Sequence, residues 1–222
     1  MSPEFQPSGA PSLLPAYAEL HCRTNFSFQV GASHAEELVA RAHALGYSAL
    51  AITDECSVAG LVRAHAEAKK LGLKLLAGSE FVLDGGDGRF RLIALAHNLN
   101  GWGALCEFIT AGRRAAPKGG YRLGWHDVTA DRLPDCELIL APDRLTRSAI
   151  TLEALCDRLT LGRQQFGPHF WLAAELLHGL DDDLWLTMLE EASARTGVPL
   201  VAAGDVVMHV RSRKVLHDVL TA

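Results

Sequence analysis

A chain of 222 residues, 49% hydrophobic and 7% aromatic, has apolar material for one barrel-sized α/β domain or two small ones, and is too apolar to stay disordered. Its formal net charge of −5 argues against a globally basic, stand-alone nucleic-acid binder; the cations are scattered, with small clusters at Arg113-Arg114 and Arg211-Ser212-Arg213-Lys214. Five cysteines, Cys22, Cys56, Cys106, Cys136 and Cys156, are odd in number, widely spaced and without a CxxC. They argue against a disulfide framework and predict a reducing, cytoplasmic setting, and no apolar run is long enough to predict a membrane helix.

In chain order, residues 1–15 predict a flexible leader without signal-peptide character, and residues 16–222 a single domain. Tyr17 to Cys22 predicts a first strand. Ser33 opens a helix with Glu36 completing a capping box, and Gly46 closes it. Ser48 to Thr53 is a short buried strand, Val58 to Leu71 a helix ended by Gly72, and Leu73 to Leu83 extended. The run Asp84-Gly85-Gly86-Asp87-Gly88 predicts a hairpin connection into Arg91 to Ala96. Next come a helix over Asn100 to Gly112, a loop to Trp125, a strand over Glu137 to Ala141 and a helix over Ala149 to Gln165. A strand over His169 to Leu176, a helix over Asp182 to Arg195 with Gly197 behind it, and a strand over Leu200 to Ala203 follow. A last helix begins near Ser212, and its pattern runs to Ala222 without a cap, which predicts a piece of a longer protein. Seven strands, mostly followed by helices, predict a parallel, barrel-like α/β domain.

Polar residues gather just past the predicted strand ends: His21 and Arg23, Asp54 and Glu55, Glu80, His97, Glu175 and His178, and Asp205. In parallel α/β barrels that rim is where sites are built, and carboxylates with histidines are ligand types for zinc, manganese or iron. On position alone the choice between a site and solvated strand ends is open.

The strings at these positions resemble the PHP (polymerase and histidinol phosphatase) family. The family's His-x-His stands here as His21-Cys22-Arg23 within AELHCRTNFSFQVGAS, and its Asp-His as Asp54-Glu55 within ALAITDECSVAGLVRA. Gly-x-Glu stands as Gly78-Ser79-Glu80, and the final Asp-x-His as Asp205-Val206-Val207 within AAGDVVMHVRSR. LHCRTNFSF and AITDECSVAGLVRAH resemble the ImuC-type, error-prone branch of the bacterial DnaE polymerases. The resemblance implies a distorted, seven-stranded, TIM-like (β/α) barrel at the N-terminus of a longer polymerase. It further implies that magnesium-dependent, template-directed nucleotidyl transfer, the polymerase aspartates and contacts with DNA, sliding clamp and accessory mutagenesis proteins belong to that longer chain. The expected partner of this piece is the remainder of the polymerase, with no membrane.

Three ligand positions depart from the family pattern: Arg23, Glu55 and Val207 stand where histidines are implied. Arginine has no lone pair to offer and valine has nothing. His21, Asp54, Glu80 and Asp205 survive, with His97, His178 and His209 as looser candidates; together they suffice for at most one weak divalent ion. Without metals the carboxylates would repel one another, so Arg23, whose fork can pair with two carboxylates, is expected to stand in for the missing cation. No catalytic residue is assigned. The domain is read as a degenerate, non-catalytic support for a polymerase acting in translesion synthesis and damage-induced mutagenesis. The alternatives are a metal-dependent phosphoesterase or 3′–5′ exonuclease, and a docking module for accessory proteins. Cys22 and Cys56 beside the motifs read as small buried hydrophobes.

Overall fold

The computed structural model of the chain describes residues 16–84, 90–143 and 150–222. The leader, most of the Gly-rich turn and the first residue of the helix expected from Ala149 lie outside these.

Seven strands form one sheet in sequence order: β1 (Ala18–Glu19), β2 (Ala49–Ile52), β3 (Lys74–Val82), β4 (Phe90–Ala96), β5 (Cys136–Pro142), β6 (Phe170–Glu175) and β7 (Leu200–Ala203). Helices α1 (Ala35–Ala44), α2 (Leu61–Leu71), α3 (Leu99–Arg114), α4 (Leu152–Phe166), α5 (Asp182–Thr196) and α6 (Lys214–Leu220) complete the fold. Every pairing is parallel except those of β4, which is antiparallel to both β3 and β5. The expectation of a parallel barrel is corrected at that strand. Only residues 83–89 separate β3 from β4 in the sequence, and only antiparallel neighbours can be joined so briefly.

Local chemistry accounts for the helix ends. Gly72 and Gly197 close α2 and α5 in the left-handed conformation, which glycine adopts without steric cost. Asn98 caps α3 by accepting from the Gly101 N–H at 3.0 Å, and Thr151 caps α4 by accepting from Ala154 at 3.2 Å. The first helix starts one residue later than expected. His34 is its N-cap, with the Glu37 carboxylate accepting from the His34 N–H at 2.9 Å. Ser33 instead bonds His209, ring Nδ1 to Oγ at 2.7 Å.

The period-two alternation of the strands sorts side chains into two layers. Leu50, Ile52, Leu92, Leu138, Leu140, Phe170 and Leu172 face outward and pack under the helices. Ala51, Ile93, Ile139, Ala141, Ala173 and Ala203 form a separate interior cluster, small side chains suited to the tapered inside of a barrel. Helix α4 lies so close to the sheet that a Cβ on Gly162 would fall 2.1 Å from the Phe170 ring.

The sheet ends meet through a parallel bridge, Cys22 to Val206, and through one buried carboxylate. Glu19 accepts from the His21 N–H at 2.8 Å, the Gly204 N–H at 2.9 Å and the Tyr17 hydroxyl at 2.8 Å. Glu19 thereby ties β1 to the loop after β7 and nearly closes the barrel. It was absent from the sequence-predicted site, because nothing in its local pattern marks a strand residue as a fastener.

Candidate functional site

The same alternation builds the site. Glu80 lies opposite Ile93, and Arg91 opposite Val82 and Ala141; Glu175 and Asp205 follow interior Ala173 and Ala203 by two residues. All four therefore point inward at one end of the barrel, where His21 and Arg23 arrive just after β1.

These six side chains form one ionic network. The Arg23 guanidinium donates from Nη1 to Glu80 Oε1 at 3.2 Å and from Nη2 to Asp205. Arg91 donates from Nη1 to Asp205 Oδ2 at 3.2 Å and lies 3.9 Å from Asp143. His21, fully buried, places Nε2 2.6 Å from Glu80 and Nδ1 2.6 Å from Glu175. An ionised carboxylate only accepts, so with both partners ionised both ring nitrogens would donate and the ring would be an imidazolium. Burial opposes that charge, but the hydrogen bonds and charges of Glu175 and Glu80 outweigh it and push the His21 pKa up to about 10. Burial likewise raises Glu80 and Asp205, and the Arg23, His21 and Arg91 charges overcome it, so both end below the usual carboxylate range. Three cations thus face three carboxylates in direct contact. One buried donor is left over: among the described residues Arg23 Nε has no partner.

Asp54 stands beside this network but is held differently. It is buried and accepts from the Thr24 N–H at 2.8 Å, the Ser27 hydroxyl at 2.7 Å and the Thr24 hydroxyl. Burial raises its pKa above the ordinary value against these donors. Glu55 points elsewhere, accepting from the Tyr121 hydroxyl at 2.8 Å.

The remaining predicted residues are dispersed. His97 is exposed and 3.9 Å from Glu137. It follows β4, but that strand runs backwards, so its end lies at the opposite rim and its start, with Arg91, lies in the site. Arg91 was missed for the same reason, and the hairpin signal before it was the clue. His178 sits exposed in a left-handed turn, His209 is engaged by Ser33, and the Val207 carbonyl accepts from Ala32. Cys22 and Cys56 are buried, free thiols.

A metal cluster does not fit this donor set. Both nitrogens of His21 are committed to carboxylates, and a guanidinium bridges Glu80 and Asp205. Among the described residues no three His, Cys, Asp or Glu side chains are grouped as a metal shell.

A model of the PHP domain matches residues 19–141. The chain belongs to the PHP family. Curated relatives similar to this PHP domain include the error-prone DNA polymerases of Ralstonia nicotianae, 49% identical over 97% of this chain and 21% of that protein, and of Bordetella parapertussis, 47% identical over 95% and 21%. That of Dechloromonas aromatica is 48% identical over 94% and 20%. The chain therefore spans about a fifth of the length of these relatives. Two solved structures share the PHP-domain fold at 17% identity. One is an amidohydrolase from Chromobacterium violaceum, TM-score 0.66 over 87% of this chain and 88% of that one. The other, named as a candidate metal-dependent phosphoesterase, comes from Bifidobacterium adolescentis, TM-score 0.64 over 89% of each. Among the described residues no helix is long and apolar enough to cross a membrane.

Proposed function

We propose that this chain is the PHP domain of an error-prone DNA polymerase of the ImuC type, working in damage tolerance as a rigid, non-hydrolytic support for the polymerase core. The observation that carries the reading is the Arg23 guanidinium spanning Glu80 and Asp205. A phosphoesterase needs cations that polarise a phosphoryl oxygen and activate water; a guanidinium tied to two carboxylates does neither. Replacing ligand by cation keeps the carboxylates neutralised and the barrel packed while removing the chemistry. Nucleotidyl transfer with magnesium, and contacts with the sliding clamp and accessory mutagenesis proteins, belong on this reading to the longer chain.

The test is elemental analysis of the chain purified without chelator, a titration with zinc and manganese followed by thermal melting, and an assay for hydrolysis of single-stranded DNA. The expected result is far less than one ion per chain, no stabilisation by either metal, and no hydrolysis. Binding to the native state would otherwise raise the melting temperature. A tightly held ion with chelator-sensitive nuclease activity would overturn the reading.

A further inference from the structure

Beside the ionic network, the same rim carries an exposed surface that none of the above uses. The loop after β1 presents Phe28, 84% exposed, and Phe26, 39% exposed, with the Arg63 guanidinium 5.9 Å from the Phe26 ring centre. A lone exposed apolar side chain is ordinary on a protein surface; what sets Phe28 apart is the group of cations across Glu55 from it. Across Glu55 lies a basic loop. Arg113 and Arg114 end α3, Gly120 N–H closes a turn on the Pro117 carbonyl at 3.0 Å, and Arg122 N–H returns to the Gly112 carbonyl at 3.0 Å. Lys118 sits in that turn, so four cations fall within ten residues of a chain whose net charge is −5.

Glu55 connects the two halves. Its N–H donates to Ser27 Oγ at 3.0 Å, between the two phenylalanines in sequence; its carbonyl accepts from Arg113 at 3.2 Å and its carboxylate from Tyr121 at 2.8 Å. Arg113 also lies 5.5 Å from the Tyr121 ring centre. Arg113 is thus spent on holding the loop, whereas Arg114, Lys118 and Arg122 are exposed and have no carboxylate partner among the described residues. Arg122 borders a groove of about 350 Å³ walled on one side by Ala111, Ala115 and Leu123. Two acids, Asp84 and Asp127, also line that groove, and Asp127 is paired with Arg132.

We infer that this surface, with Phe28 on one side and Arg114, Lys118 and Arg122 on the other, binds single-stranded nucleic acid. Unpaired cations track a phosphate backbone, and an exposed aromatic ring stacks on a base that has no Watson–Crick partner. An acidic protein segment would use the cations but has no need of the ring, and a duplex hides its bases from it. The inference rests on exposure and charge, not on the inertness of the Arg23 network, which the metal measurements decide separately.

The test is fluorescence anisotropy of the 222-residue chain with a labelled 20-nucleotide single strand, the matching duplex and poly-glutamate. Wild type, Phe28→Ala and Arg114→Ala/Lys118→Ala/Arg122→Ala are compared from about 50 to 200 mM salt. Wild type is expected to bind the single strand with a Kd of order 10–100 μM at the lowest salt, weakening with a log–log slope of about −2 to −3. Phe28→Ala should lose about fivefold or more on the single strand alone. The triple variant should lose about tenfold and flatten the slope by about 2. All four side chains are exposed, so unchanged melting temperatures confirm that the variants are folded. No binding, equal binding of poly-glutamate, or binding unaffected by either variant overturns the inference.

Discussion

At the scale of single residues, Arg23 is the position on which the site turns. Its loss leaves Glu80 and Asp205 buried and less compensated, and breaking a buried pair from one side costs about 3–5 kcal/mol. Arg23→Met should therefore lower stability by that order in urea denaturation, whereas Arg23→Lys, which keeps a charge but not the fork, should lose less. His21 adds a pH dependence with a definite sign. Its folded pKa of about 10 exceeds the ordinary histidine value of about 6.5. Its stabilising contribution is full below the unfolded value and is lost as pH rises through the folded one. The denaturation midpoint should fall from pH 7 to pH 10, and His21→Gln should flatten that fall. The pairing of Arg23 with carboxylates was legible in the sequence, because a cation stands where a ligand type was expected. The doubly bonded His21 was not, since Glu175 lies 154 residues away and no local string announces it.

At the scale of elements, α4 and the reversed strand β4 are the informative cases. Gly162→Ala would raise intrinsic helix propensity by about 1 kcal/mol, yet the new methyl group meets the Phe170 ring at 2.1 Å. Overpacking of this kind costs about 1–3 kcal/mol, so a lower melting temperature is expected despite the better helix former; a higher one would show that α4 can move off the sheet. Element identity was readable from periodicity almost throughout, and β7 matches its expected span, Leu200–Ala203. Direction was harder. A strand's apolar alternation is the same read either way, so only the short Gly-rich connection spoke for reversal. Taking every strand's end as a rim position then put His97 in the candidate set and left Arg91 out. Glu19 escaped notice for a related reason: its partner amide, Gly204, is supplied by the far end of the chain.

At the scale of the whole molecule, the barrel combines a filled interior, a neutralised rim and a closure that depends on its two ends. Glu19→Ala removes the acceptor shared by the His21 and Gly204 amides, and buried donors left without partners cost about 1–3 kcal/mol each. The variant should lose stability and exchange the β7 amides faster with deuterium, while a variant on the outer surface, such as Val62→Ala, should do neither. The closure also sets the order in which the domain can be made. Arg23 and Asp205 are separated by 182 positions, and Glu19 and Gly204 by 185. A chain emerging from the ribosome can pair His21 and Arg23 with Glu80 early, but it holds its first strand long before Glu175, Asp205 and the Gly204 amide exist. Contacts of such long range are slow to form because loop closure must come before any gain. Completion of the fold therefore waits for β7, and a nascent chain halted short of Leu200 has no way to become this barrel.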